Sequence, residues 1–461
     1  MHTLAQLQSG ELKHANHVKI AEDLTVFPTE LYTLADSLEV LDLSNNQLVT
    51  LPDDFSRLHK LKIFFASNNL FEYLPEVLSL CPNLEMIGFK ANQIATIAEN
   101  ALPKKTRWLI LTDNKLTRLP ESMGELSRLQ KLMLAGNQLQ TLPKSMTQCE
   151  NLQLVRLSAN QLTCLPDWLL YLPKLSWLAF SGNPLCNLGK TATLNTAQSS
   201  LPKVSLKDYV LGELLGQGAS GLIYKATMLD SALPDNTFNS EVAVKLFKGE
   251  VTSDGYPQDE LNACITAGFH PNLVSIMAEV DGLNEQNVSQ KGLVMNLIPN
   301  HFFNLGQPPT LESCTRDHFD SQLSLSLTHL VQILLKVTDA LQHLHEKQLC
   351  HGDLYAHNIL IDHDASVLLS DFGAASHFGH LAQHQQTALQ VIEQRALGHL
   401  LEDLLTVCND TYNAPRVVKA LRKIHLQLVN SNSQREPKLT LSELKSQLLA
   451  GWKAWSYCNL W

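Results

Sequence analysis

The chain has 461 residues, room for two to four domains at roughly 150 residues each, and 44% are apolar, which excludes disorder throughout. Its formal charge is −10, with 35 basic against 45 acidic residues, which excludes nucleic acid as the main partner because phosphate binding calls for a basic face. Seventeen basic and 18 acidic residues fall within positions 1–190, leaving −9 for the rest, so two compositionally different halves are visible.

Nine cysteines are scattered without a CxxC pair. The opening residues lack a basic segment followed by an apolar run, and no stretch of about 18 uninterrupted apolar residues could cross a bilayer. The expectation is a cytoplasmic chain with no membrane contact, its cysteines reduced and serving as small core residues.

In chain order the first feature is a period. Asparagines stand at Asn46, Asn69, Asn92, Asn114, Asn137, Asn160 and Asn183, at separations of 23, 23, 22, 23, 23 and 23 residues. Around the first lie Leu38, Leu41, Leu43, Leu48, Leu51 and Pro52; around the fifth lie Leu129, Leu132, Leu134, Leu139, Leu142 and Pro143. This is the pattern of leucine-rich repeats, an α/β solenoid. Each LxL step predicts a short strand with both leucines inward, and each asparagine can satisfy backbone groups that no neighbouring strand reaches. Ile20, Leu24 and Phe27-Pro28 read as a degraded leading unit. The expected layout is a cap over 1–37, repeats over 38–188, a polar linker over 189–207 and a second domain over 208–455.

Residues flanking the core leucines of each strand are expected to face outward on the concave sheet. They include Val40, Ile63, Met86, Trp108, Lys131, Leu154 and Trp177, with Phe65, Ile110 and Met133 in the next column. So apolar a strip predicts a docking surface for a protein partner or for the chain's own second half.

Past the linker, Leu215-Gly216-Gln217-Gly218-Ala219-Ser220-Gly221-Leu222-Ile223 sits between two β-type runs, the second being Glu241-Val242-Ala243-Val244-Lys245. Strand, glycine hairpin and strand do not fit a dinucleotide fold, in which the glycines lead into a helix. A helix is expected over 258–268, and its Glu260, or alternatively Asp259, could pair with Lys245. His270-Pro271-Asn272 follows, then Leu293-Val294-Met295-Asn296-Leu297, then Cys350-His351-Gly352-Asp353-Leu354-Tyr355-Ala356-His357-Asn358, and Asp371-Phe372-Gly373 stands 18 residues beyond Asp353.

In order and spacing, 208–449 resembles the protein-kinase catalytic core, an α+β fold of two lobes. The resemblance implies ATP and Mg²⁺. Gly216, Gly218 and Gly221 would let the backbone approach the phosphates, with Leu215 and Ile223 flanking the nucleotide. Lys245 would pair with the phosphates and be aimed by Glu260. Asp371 and Asn358 would ligate metal, and Asp353 would accept or orient the acceptor proton. Met295 and Leu297 would belong to the adenine-binding hinge, with Met295 guarding the inner pocket.

Three departures stand out. Gly352 replaces the arginine that usually precedes the catalytic aspartate, which suggests a site that does not wait for loop phosphorylation. Tyr355 replaces the lysine of serine/threonine kinases. The segment after Gly373 is short, lacks an Ala-Pro-Glu triad and carries His377, His380 and His384, read as ordinary loop histidines rather than a metal cluster. His-Gly-Asp-Leu also resembles phosphotransferases acting on aminoglycosides or choline. The leading expectation is a protein kinase, more readily for serine or threonine; the alternatives are a small-molecule phosphotransferase or a nucleotide-binding pseudokinase scaffold.

Overall fold

A computed structural model describes residues 1–187, 201–218, 221–229, 241–248, 251–283, 289–409, 411–412, 414–432, 437 and 439–458. Most of the expected linker lies outside them, as do Ala219 and Ser220. Contacts divide the chain into two units, 1–175 with 182–185, and 176–181 with 186–461.

The first unit opens with α1 (Leu4–Gln8), capped by the Thr3 hydroxyl accepting from the Gln6 N–H at 3.1 Å. Strands of three residues follow: β1 (His17–Lys19), β2 (Val40–Asp42), β3 (Ile63–Phe65), β4 (Met86–Gly88), β5 (Trp108–Ile110), β6 (Lys131–Met133) and β7 (Leu154–Arg156). They pair in parallel and in sequence order, so that Val40, Ile63, Met86, Trp108, Lys131 and Leu154 form one column. The expected leading unit does supply a strand, and Ile20 and Phe27 are buried with it. The return path is mostly 3₁₀ turns entered through Leu-Pro, as at Pro143 before Lys144–Gln148, with a short α2 at Asp167–Leu170.

The asparagines form a ladder. Asn69 Oδ1 accepts from the Leu48 N–H at 2.9 Å, while its Nδ2 donates to Leu43 O at 3.0 Å and Ala66 O at 3.1 Å. Leu43 O also accepts from Asn46, so successive asparagines share a carbonyl. Buried backbone between strands is thereby satisfied by side chains. The residue before each asparagine takes a left-handed turn: Asn45, Asn68, Ala91, Asp113, Gly136, Ala159 and Gly182 all have positive φ.

The outward strip departs from expectation. Of Val40, Ile63, Phe65, Met86, Trp108, Ile110, Met133, Leu154 and Trp177, none is exposed; Ile63, Met86, Leu154 and Trp177 are buried and the others half-buried. In-register neighbours on the sheet cover one another, except that Trp177 is covered by the Tyr355 and His399 rings of its own unit. The Lys131 ammonium lies 4.2 Å from the Trp108 ring centroid, and the Phe65 ring lies where a Cβ on Gly88 would come within 2.5 Å. Glycine at 88 leaves room for that ring, which any larger residue would have to displace.

The second unit includes β8 (Trp177–Ala179) and β9 (Lys203–Val204). Then come β10 (Tyr209–Gln217), β11 (Gly221–Met228), β12 (Glu241–Phe247), α3 (Pro257–Ala267), β13 (Ile276–Leu283) and β14 (Ser289–Asn296). The order β10-β11-β12-β14-β13-β9 makes a six-stranded sheet over a core of Tyr209, Ala226, Val242, Val244, Ala278, Val280 and Val294. Alternation along β12 sends Val242 and Val244 into this core and Lys245 to the other face.

The helical part follows: β15 (Phe303–Asn304), α4 (Leu327–Glu346), β16 (Leu349–Cys350), β17 (Ile359–Ile361), β18 (Val367–Leu369), β19 (Ser376–His377), α5 (Gln383–Thr406), α6 (Pro415–Val429) and α7 (Leu441–Cys458). Ser326 caps α4 by accepting from the His329 N–H at 3.1 Å. Leu327, Leu330, Val331, Leu334, Val337, Leu341 and Leu344 bury one face of α4 at helical spacing. The β17–β18 hairpin carries Asn358 at its entrance and leads out to Asp371.

Candidate functional site

A cleft of about 550 Å³, within the range of small-molecule sites, lies between the sheet and the helical part of the second unit. Of the expected nucleotide-binding residues, Leu215, Gly216, Gly218, Gly221, Ile223, Lys245 and Met295 line it. Leu297 does not, although alternation from Leu293 and Met295 would place it there: β14 ends at Asn296, the period of two stops with it, and Asn296 and Ile298 line the cleft instead. Met295 stands opposite Ala243 in register, two residues from Lys245.

The glycines divide by role. A Cβ at Gly216 or Gly218 would meet open space, whereas at Gly221 it would come 2.5 Å from Leu246 O. Gly221 is demanded by packing of β11 on β12. Gly216 and Gly218 leave the cleft roof bare for a ligand.

Lys245 and Glu260 form a buried ion pair, 7% and 4% exposed. Of the two acids considered from the sequence, Glu260 is therefore the partner. It faces inward because Pro257 starts α3 and places the fourth helical residue over β12. Burial opposes the Lys245 ammonium, but the Glu260 and Asp371 carboxylates outweigh it and hold its pKa above the ordinary value. Glu260 itself is pushed up to about 7, by burial first and then by Asp371 and Asp254. One ammonium thus faces several carboxylates, and the cluster is short of positive charge.

Asp353 and Asn358 are joined at 2.9 Å, with Asn358 Nδ2 donating to Asp353 Oδ2 and, at the same distance, to Asp353 O. This commits the Asn358 nitrogen and leaves its amide oxygen as the ligand atom. Asn358 lines the cleft with Asp371, while Asp353 reaches it through Asn358. Asp371 adopts a left-handed backbone, φ 58°, braced by the Gly373 N–H donating to its Oδ1 at 3.1 Å. Aspartate tolerates that region better than most residues, and such backbone persists where the surroundings over-determine it. His351 ties the two motifs together: its Nε2–H donates to Ser370 O at 3.0 Å and its Nδ1 accepts from the Asp353 N–H at 3.3 Å.

Hard oxygen donors from Asp371 and Asn358, in a cluster short of positive charge, fit Mg²⁺. The same cleft offers phosphates Lys245 and a backbone free of side chains at Gly216 and Gly218.

Sequence reasoning missed several supports. Glu393, buried within α5, accepts from the Gly352 N–H at 2.9 Å and from His345 Nε2 at 2.6 Å. Burial alone would raise its pKa, but the His345 hydrogen bond and charge and the Gly352 N–H outweigh it and hold it below the ordinary range. No local signal marks Glu393, since α5 carries polar residues along its length, among them Gln385, Gln390 and Glu402. His357 is pinned by Asp317, with Nδ1 to Oδ1 at 2.8 Å and its own N–H to Oδ2 at 2.9 Å. Trp177 stacks on Tyr355 at 4.4 Å between centroids and donates from Nε1 to Leu354 O at 3.0 Å. His377 and His380 stack at 6.1 Å; among the described residues the grouping compact enough for a metal is instead His345, Cys350 and Glu393.

Residues 209–412 match the family described as protein tyrosine and serine/threonine kinase, and residues 37–58, 104–162 and 127–185 match leucine-rich repeat families. The chain is similar to serine/threonine-protein kinase PITSLRE of Drosophila melanogaster, 26% identical over 213 residues that cover 46% of this chain and 20% of that protein. It is also similar to fibroblast growth factor receptor 1 of Pleurodeles waltl, 28% identical over 39% of this chain and 22% of the receptor. Probable serine/threonine-protein kinase gdt4 of Dictyostelium discoideum is 29% identical over 39% of this chain and 10% of its own length. The matches thus span less than a quarter of these relatives. Among solved structures, a leucine-rich repeat protein of Leptospira interrogans is 27% identical, covering 38% of this chain and 51% of its own, with a TM-score of 0.33.

Proposed function

Because the chain joins leucine-rich repeats to a protein kinase domain, we propose that it passes the γ-phosphoryl group of Mg²⁺-bound ATP to serine or threonine hydroxyls of a protein. The observation that carries this reading is the convergence of Lys245, Glu260, Asn358 and Asp371 on one cleft, with Asp353 hydrogen-bonded to Asn358. Lys245, aimed by Glu260, holds the α- and β-phosphates under the bare backbone of Gly216 and Gly218. Asp371 and Asn358 Oδ1 hold Mg²⁺, which neutralises charge on the transferring phosphates. Asp353 accepts or orients the proton of the acceptor hydroxyl, and its Oδ2 is fixed for that by Asn358. Met295 and the neighbouring hinge backbone hold adenine.

The repeats recruit a protein partner or regulate the kinase domain through the half-buried strip of Phe65, Trp108, Ile110 and Met133. No helix among the described residues is long and apolar enough to cross a membrane. Cys81, Cys149, Cys264 and Cys350 are buried thiols outside any disulfide, which supports action in a reducing cytoplasm.

A second reading, transfer to a small-molecule acceptor, is favoured by Tyr355, which is 5% exposed and stands where the family's lysine would steady the phosphoryl group. Incubation with [γ-³²P]ATP and Mg²⁺ separates the two. Label on protein serine or threonine, abolished by Lys245→Met, is expected. Label only on a small molecule overturns the protein acceptor, and binding without transfer leaves a scaffold.

A further inference from the structure

The two departures from the kinase pattern at the catalytic loop have one neighbour in common. Gly352 sits at φ +73°, and a Cβ there would come within 2.6 Å of Ala374 O on one side and 2.9 Å of Leu178 O on the other. Both obstacles are backbone, so neither can rotate aside, and the left-handed φ adds a second reason for glycine. Tyr355 is buried because its ring lies nearly parallel to that of Trp177, at 9°. Trp177, 1% exposed, also donates to Leu354 O, the carbonyl directly after Asp353. Three residues on, just past the end of β8, the Phe180 N–H donates to Ser376 Oγ at 3.0 Å, tying the strand's exit to the segment beyond Asp371.

We propose that β8 is a working part of the catalytic centre: Trp177 is a positioning residue that clamps the Gly352–Tyr355 backbone, and Gly352 and Tyr355 are the residues that admit it. The family's arginine cannot stand at 352, because its Cβ would strike Ala374 O on one side and Leu178 O of β8 on the other. The family's lysine at 355 would bring a charged side chain against the indole and forfeit the ring stack. The clamp holds the loop from within the chain, with no phosphate required on the segment after Gly373. The contacts that hold the catalytic loop therefore reach upstream of the 209–412 stretch that matches the family.

This inference rests on the phosphotransfer reading for its kinetic consequence, but the clamp itself is measurable without transfer. In the full chain, Trp177→Ala removes the stack on Tyr355, a second stack on His399 at 5.3 Å and the Leu354 bond, while Trp177→Phe keeps a ring and loses the bond. Hydrogen exchange over 350–358, followed by mass spectrometry, is expected to accelerate at least about tenfold in Trp177→Ala and less in Trp177→Phe. Binding of a fluorescent ATP analogue should stay within about twofold, since Trp177 does not line the nucleotide cleft. If transfer is measured, kcat falls by about 10–100-fold with KM for ATP unchanged, because a loop displaced by about 1 Å costs on that order. Trp177→Phe should recover part of kcat. Unchanged exchange in both variants overturns the clamp, whether or not the wild type transfers phosphate. A raised kcat in Trp177→Ala also overturns it, since β8 would then obstruct the acceptor. Faster exchange in a wild type that transfers nothing keeps the clamp and refutes the phosphotransfer reading alone.

Discussion

Replacing Asn137 by alanine tests the ladder that holds the solenoid together, and the structure sets the magnitude. Asn137 is 4% exposed and makes three bonds: Nδ2 to Leu111 O at 2.9 Å, Nδ2 to Leu134 O at 3.0 Å, and Oδ1 from the Leu116 N–H at 3.0 Å. The losses are unequal. Leu111 O keeps a donor in Asn114, and Leu134 O keeps one in Asn160. The Leu116 amide, on a buried residue, loses its acceptor outright. An orphaned buried N–H costs about 1–3 kcal/mol and each weakened carbonyl about 0.5, so Asn137→Ala should destabilise by roughly 2–4 kcal/mol. Asn151→Ala, which removes a solvent-exposed bond to Ser127 O, should stay within about 0.5 kcal/mol.

The double variant Asn137→Ala with Asn160→Ala sharpens the test, because Leu134 O then loses both donors. The pair should be more than additive by about 1 kcal/mol. Urea unfolding followed by far-ultraviolet circular dichroism gives these differences, and hydrogen exchange at Leu116 localises them. An Asn137→Ala change no larger than that of Asn151→Ala, with strict additivity in the pair, would refute the shared-carbonyl reasoning.

Three further outcomes are expected. Asp353→Asn should lower transfer by about 10²–10⁴-fold, the usual range for a positioned acid or base, with nucleotide binding retained in an equilibrium titration. Ala159→Gly should change stability by less than about 1 kcal/mol in urea unfolding, since relief of a left-handed φ, worth about 1–2 kcal/mol, is offset by the entropy glycine adds to the unfolded chain and by the loss of a buried methyl, about 0.8 kcal/mol. Glu393 has a folded pKa below its unfolded value, so its stabilisation is present above about pH 4.3 and is lost as pH falls through the folded value. Exchange over 350–358, corrected for its intrinsic pH dependence, should be flat from neutral pH to about 5 and rise below about 4.3; a rise already at pH 6 would contradict the sign.

The left-handed position before each ladder asparagine shows why some of this was hidden. Gly136 and Gly182 are the residues that announce such a turn, but Ala91 and Ala159 occupy the same place in other repeats. The shared asparagine bonds outweigh a small backbone penalty, so composition there need not betray conformation. The outward strip misled for a different reason. Alternation correctly separated Val40, Ile63 and Met86 from the inward leucines, yet it carries no information on how far large neighbours across the sheet shield one another.

What the sequence alone determined is whatever repeats or lies close along the chain: the strand at each LxL step, the asparagine ladder, the glycine hairpin, α3 carrying Glu260 or Asp259 as a partner for Lys245, and the placement of Asp353 and Asn358 on one short segment. These follow from periods of two, 3.6 and about 23 residues, which a linear reading can detect. Tertiary structure alone decided that Glu393 anchors Gly352 from 41 residues away and that Trp177 clamps Leu354 from 177 residues away. The reason is physical. A backbone amide or an aromatic ring accepts any partner of suitable shape, so nothing in the local sequence encodes which one folding will bring to it.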